Sequence, residues 1–161
     1  MKKYLLLLTV AAMLWTTPVP AAAAAGADQK TAAADADVLL ISAKDLKKDT
    51  VSFIRLSDDS KIELLARIGD DGKPKAALDT CQACNGSPKA YFTQEGELLK
   101  CNNCGLKFEL SAIDAPSAGC NPMPIDPSII RYTEDGIILD KAALSEYEPL
   151  FAKIEEHGEE K

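Results

Sequence analysis

Two Cys-x-x-Cys pairs constrain this chain more than anything else in it. CQAC supplies Cys81 and Cys84, CNNC supplies Cys101 and Cys104, and sixteen residues separate the pairs. A Cys-x-x-Cys on a tight turn aims both sulfurs at one point. A glycine soon after the second cysteine lets the backbone fold back with positive φ and turn its N–H groups toward the sulfurs. Gly86 and Gly105 stand at those places. Two such knuckles on neighbouring hairpins make a tetrahedral four-sulfur site with zinc-ribbon spacing, suited to Zn²⁺, to iron or to an iron–sulfur cluster. Between the pairs, residues 90–93 and 98–100 flank Gln94-Glu95-Gly96-Glu97, which predicts the hairpin that would bring the knuckles together.

Cys120, in the phrase AGCNP, makes the number of thiols five, so they cannot all pair internally as disulfides. Between Gly119 and Pro122 it is open to four roles: a fifth ligand, a replacement ligand, a reactive free thiol or a small buried hydrophobe. Two other readings of the thiols stay open. In one, any metal serves only as a structural staple, as most zinc at this spacing does. Or there is no metal, and a pair works as a redox disulfide, as the oxidising surroundings of an exported chain would favour. CNNCG has the form of a knuckle rather than of the helix start that a thioredoxin-like pair requires.

The chain has 161 residues, room for one domain plus a processed terminus. Its net charge of -7 and the lack of a basic stripe exclude a nucleic-acid partner. Lys2 and Lys3 followed by the apolar run 5–15, Pro18, Pro20 and a polyalanine stretch predict a signal peptide over 1–25, with a retained membrane anchor as the alternative. Residues 26–35 are expected to be a flexible leader, 36–154 a single Cys-rich domain, and 155–161 a charged tail. His157, the lone histidine, sits in that tail and is not expected to bind metal. Asp58–Asp59 and Asp70–Asp71 are read as solvated turns rather than acid–base pairs, and no nucleophile elbow or phosphate loop is present.

Residues 37–42, 51–56 and 61–68 predict strands, and GDDGKPK (69–75) predicts a turn in which Pro74 cannot extend a ladder. Residues 128–132 and 136–140 around Thr133-Glu134-Asp135-Gly136 predict a second hairpin, and 141–154 a closing helix that Pro149 kinks or splits. The fold expected is mainly β, a β-rich α+β class: small antiparallel hairpins around a ribbon-like four-Cys site, with a short C-terminal helix.

Taken together, ALDTCQAC, YFTQEGELLKCNNCG and GCNPMPI resemble the FtrD-like membrane iron–sulfur-containing domain family of bacteria. The shared pattern falls on Ala77, Asp79, Cys81 and Cys84; on Tyr91, Gln94, Glu95 and Gly96; on Cys101, Asn103, Cys104 and Gly105; and on Gly119, Cys120, Asn121, Pro122 and Pro124. It covers residues 36 to 145 or so. This chain has Ala118 where the family's loop has its first glycine, Met123 where it has isoleucine, and one more residue between Tyr91 and Gln94. The resemblance implies an iron–sulfur cluster or iron, with Zn as the alternative, on Cys81, Cys84, Cys101 and Cys104, and Cys120 close to the metal. It implies electron transfer or metal handling in iron uptake, more a metal protein than an enzyme, at the periplasmic or extracytoplasmic face of the inner membrane. An inner-membrane iron permease or a redox protein is the implied partner. A zinc-ribbon-like docking module and a thiol–disulfide oxidoreductase are the alternative functions.

Overall fold

Short runs of branched aliphatic residues, each stopped by a glycine- or aspartate-rich turn, make strands here rather than helices. The computed structural model describes residues 37–115 and 119–155, all within one compact unit, Ala34–Lys161. The expected signal or anchor segment, the leader, Ala118 and His157 lie outside the described residues. Among the described residues ten strands form three antiparallel sheets, followed by two short helices.

The central sheet carries β2 (Ser52–Arg55), β3 (Glu63–Ile68), β4 (Pro74–Cys81) and β8 (Pro122–Met123), in that order. Successive side chains on a strand point to opposite faces. Leu64, Ala66, Ala76 and Leu78 enter one hydrophobic core, whereas Leu65, Ala77 and Cys81 enter another. Both faces of β3 and β4 are therefore covered at their centres, which is why Leu64–Ala66 and Ala76–Leu78 read as unbroken apolar runs. Register decides which core receives the cysteine, since a one-residue slip would send Cys81 to the wrong face. Pro74 opens β4 opposite Ile68 rather than closing the preceding turn. At the first position of a strand its missing N–H costs no ladder bond.

On the first core lies a sheet of β1 (Val38–Ser42), β9 (Ile130–Thr133) and β10 (Gly136–Asp140), ordered β1-β10-β9. Val38 opposes Asp140 and Ser42 opposes Gly136, so the first strand is clamped to the last hairpin. Gly136, at φ 149°, is held so close to β1 that a Cβ would collide with the Ile41 carbonyl oxygen. Only glycine fits there. Asp140 caps α1 (Lys141–Ser145), its carboxylate accepting from the Ala143 N–H at 3.0 Å. Pro149 sits in the first turn of α2 (Glu148–Phe151), so the expected closing helix is split in two at the proline. Leu144, Phe151 and Ile154 seal the core. Among the described residues no helix is long and apolar enough to cross a membrane.

The third sheet, β5 (Phe92–Glu95), β6 (Leu98–Cys101) and β7 (Lys107–Glu109), packs on the second core. Phe92 and Phe108 meet edge to face, ring centroids 5.3 Å apart. Gln94 sews this sheet to the central one: its side-chain oxygen accepts from Val51 N–H at 2.8 Å and its amide donates to the Asp49 carbonyl at 2.8 Å.

Glu95 links the three strands from outside, at 2.8 Å from Lys100 Nζ and 2.6 Å from Lys107 Nζ. The hydrogen bond from Lys100, then that from Lys107, lowers its pKa from 4.5 to about 2. A depressed carboxylate stabilises the fold above its unfolded pKa, and the contribution disappears as pH falls through the folded one. Glu95→Gln should therefore lower the thermal midpoint slightly at neutral pH. The difference from the parent protein should shrink between about pH 4.5 and pH 2 and be absent below. A pH series of melting curves on the two proteins checks it.

Candidate metal centre

Three segments deliver the thiols. Cys81 ends β4, and the chain turns at once through Cys84. Cys101 ends β6, followed by the turn holding Cys104. Cys120 precedes β8, the strand that pairs with the end of β4 by setting Pro122 opposite Cys81. Gly86 and Gly105 have φ of 94° and 76°, so both knuckles turn back as their glycines foretell. In the second knuckle the Gly105 N–H donates to the Cys101 carbonyl at 2.8 Å and the Cys101 N–H to the Leu106 carbonyl at 2.9 Å.

The knuckles are tied to each other at the base of the hairpin. Cys81 N–H donates to the Ala90 carbonyl at 2.8 Å, and Asn102 N–H to the Tyr91 carbonyl at 2.9 Å. Ser87 Oγ donates to Asn103 Oδ1 at 2.6 Å, a direct bridge between the two loops. The Cys120 loop is laced to the first knuckle, with Gln82 N–H on the Asn121 carbonyl and Ala83 N–H on the Gly119 carbonyl, both at 3.0 Å. Asn85 anchors that knuckle to Thr80 Oγ1 and to the Leu150 carbonyl, each at 3.0 Å. Asp79, 1% exposed, accepts from the Phe92 N–H at 2.9 Å and so fixes β5 against β4.

All five sulfurs converge. Those of Cys81, Cys84, Cys101 and Cys120 lie within 4.8 Å of one another. Cys120 Sγ is 3.3 Å from Cys81 Sγ, 4.0 Å from Cys84 Sγ and 2.7 Å from Cys104 Sγ. Cys104 meets Cys120 most closely and also contacts Cys101 and Cys84, but is not one of the mutually close four. Exposure rises across the group: Cys81 and Cys101 are buried, Cys84 and Cys120 half-buried, Cys104 exposed. The four are the right donors for a thiophilic metal, and single-ion sites with metal–sulfur bonds of about 2.3 Å put neighbouring sulfurs roughly 3.8 Å apart. The observed 3.3 and 4.0 Å bracket that spacing.

The metal-free thiols differ in acidity. Burial, opposed by the N–H groups of Cys104 and Asn103 on its sulfur, pushes Cys101 up to about 12. Burial also pushes Cys120 up. Hydrogen bonds from the Cys120 thiol and then from the Leu106 N–H lower Cys104 to about 7. The backbone N–H···S contacts to Cys101 and Cys104 are those that the glycine positions imply.

The sequence left several supporting residues without a role. Asn85, Ser87, Asn102 and Asn103 hold the loops together, and the Asn-rich knuckle was the available signal. Asp70 and Asp71 are exposed, paired with Arg67, Lys48 and Lys75 at the surface away from the thiols.

Two outcomes are expected of the metal-free protein. Iodoacetamide at neutral pH should modify Cys104 first and leave Cys101 unmodified, because thiolates react and thiols do not; peptide mapping by mass spectrometry reads the order. Asp79→Ala should cost about 1–3 kcal/mol of unfolding free energy in denaturant titration, since the buried Phe92 N–H loses its acceptor.

Comparison with known proteins gives one result. The model of a single protein family, described as membrane iron-sulfur containing protein FtrD-like, matches residues 44–151. No curated protein and no solved structure matches. The matched stretch takes in both knuckles, the Cys120 loop and all strands but β1, so this chain belongs to the FtrD-like family of membrane iron–sulfur-containing proteins.

Proposed function

We propose that this chain is an exported iron protein that passes single electrons at the outer face of the inner membrane in bacterial iron uptake. The observation that carries it is the convergence of five thiols from three chain segments on one point, four of them within 4.8 Å of each other. Nothing but a thiophilic metal or oxidation makes use of so many sulfurs so close together. The family's description as iron–sulfur favours iron, which on thiolate ligands supplies one-electron chemistry.

The residues around the thiols fit that work. Cys81 and Cys101 are 0% exposed and packed by Phe92, Leu99, Leu110 and Ile113, which keep water from the inner side. A drier site strengthens every charge interaction in it. The N–H groups of Asn103, Cys104 and Leu106 point at the sulfurs and offset part of the cost of holding thiolates there. The exposed Cys104 side faces a partner, for which an iron permease or another redox protein is the class we favour. Export rests on the N-terminal pattern of charged, apolar and small residues.

A second reading is favoured by one observation, the compactness of the sulfur group. It fits one ion as well as a cluster, and a single zinc would make the domain a docking module with a structural staple.

The two readings separate by colour. The protein purified without oxygen should contain iron and show sulfur-to-iron absorption in the visible, bleached by a reductant and lost in Cys101→Ala. One zinc and no colour would assign the domain to the docking class instead. Metal-free protein with disulfides would overturn both and leave thiol–disulfide exchange.

A further inference from the structure

The edge strands of the three sheets are β1 and β9, β2 and β8, and β5 and β7. An open edge offers unpaired N–H and C=O groups to any extended chain, and folded proteins blunt it with charge, proline or brevity. β9 carries the exposed Arg131, β2 the exposed Arg55, and β7 the exposed Lys107 and Glu109. β8 is two residues long and opens on Pro122, and β5 is tied to the central sheet through Gln94. β1 has none of these devices: its five residues, VLLIS, hold no charge and no proline. We propose that this edge is a self-association surface. On it, β1 of a second copy of the chain pairs antiparallel about a two-fold axis at Leu40 and joins two sheets into one.

The backbone decides which groups are on offer. Lys141 N–H donates to the Asp37 carbonyl at 2.9 Å, and Ala43 N–H donates to the Asp135 carbonyl at 2.8 Å. On an antiparallel strand the bonds to one neighbour come from every second residue. Asp37, Leu39, Ile41 and Ala43 thus turn their main-chain groups to β10, while Val38, Leu40 and Ser42 turn theirs to the open side. No other described strand pairs with them there. The side chains divide differently. Leu39 and Ile41 pack on the first core. Leu40, 68% exposed, and Val38, 41% exposed, stand on the outer face, where Ile138 of β10 lies opposite Leu40.

An identical strand is the partner this edge fits. With the axis at Leu40, Leu40 bonds its own counterpart and Val38 bonds Ser42 of the other copy. Every open position is then satisfied in both chains at once. Partners across this axis are an even number of residues apart, so each side chain keeps its face of the sheet. Val38 and Leu40 of the two copies become one apolar patch, flanked by Ile138 of each, and Leu39 and Ile41 stay on their cores. Charge sets the direction. Asp37 stands just before the strand and Lys44 just after it, both exposed. Antiparallel pairing puts each Asp37 beside the other copy's Lys44, whereas parallel pairing would set like beside like. The strip is short, so the contact forms and parts with concentration rather than holding permanently.

Sedimentation equilibrium and residue-by-residue amide hydrogen exchange on the full chain, with its thiols kept reduced, test this. From micromolar to millimolar protein the mass should climb from one chain toward two. Over the same range, exchange at the Val38, Leu40 and Ser42 amides should slow several-fold. Leu40→Lys should remain a single chain throughout with an unchanged thermal midpoint, because the side chain it replaces is exposed. Val38→Pro removes one donor on the open side at the first position of the strand, so it should weaken association and leave the pairing to β10 intact. A single chain at every concentration would overturn the proposal. So would a dimer that survives Leu40→Lys while the three amides still exchange fast, since the contact would then lie elsewhere. Slow exchange at those amides that does not vary with concentration would overturn it as well, because the chain's own residues would then cover the edge.

Discussion

Sulfur atoms from three distant stretches of chain must meet within a few ångströms, and the rest of the structure is arranged around that requirement. Sulfurs this close repel when several are deprotonated, and the sulfur–sulfur hydrogen bonds among them are weak. The scaffold has to supply the convergence. It does so with backbone: β4 delivers Cys81, β6 delivers Cys101, and the short β8 pairs with the end of β4 to deliver Cys120. Hydrogen bonds between the three deliveries run mostly through main-chain groups, which substitution of side chains cannot remove. Side-chain ties add to these: Ser87 and Asn102 where the knuckle loops approach, Gln82 from the first knuckle to the Pro122 carbonyl, and Asp79 between β4 and β5.

The central sheet explains why the group is dry on one side only. Because β3 and β4 alternate their side chains between two cores, the sheet can close the N- and C-terminal segments over one face and offer the other to the thiols. The clamp between β1 and β10 and the two C-terminal helices complete the first core, and α2 also reaches the first knuckle through the Asn85 side chain on the Leu150 carbonyl. The knuckle tips project beyond the second core, so Cys104, Gly105 and Leu106 are exposed. Rigidity and access are thereby assigned to opposite ends of a cluster only a few ångströms across.

Local features of this arrangement were legible in the sequence, and long-range ones were not. The knuckles, their glycines, the hairpin between them and the hairpin at Thr133–Gly136 follow from turn chemistry that acts over a few residues. Pro149 announced the break between α1 and α2 for the same reason. The pairing of β1 with β10 joins residues about a hundred positions apart, and no local pattern encodes it; only Gly136, needed for the close approach, hints at it afterwards. β7 and β8 are three and two residues long, too short for any periodicity to register. Spacing alone pointed to the four paired cysteines as ligands. It could not show that the Cys120 sulfur comes within 3.3 Å of the buried Cys81 sulfur, because that depends on a strand pairing the sequence does not display.

The position of Cys120 also bears on why the family's loop carries prolines. Pro122 is buried and pairs with Cys81, while Gly119, at φ 135°, lets the chain enter the loop from an angle that other residues rarely adopt. Proline fixes φ on one side of the cysteine and glycine frees it on the other. The entropy lost on folding is therefore small where the chain must be stiff, and strain is avoided where it must bend. The Cys104 turn is fastened by its own backbone bonds and by side-chain ties from Ser87 to Asn103 and from Asn102 to the Tyr91 carbonyl. An exposed sulfur beside buried ones, each on a fastened turn, is the arrangement that brings a buried site to the surface while the fold around it stays closed.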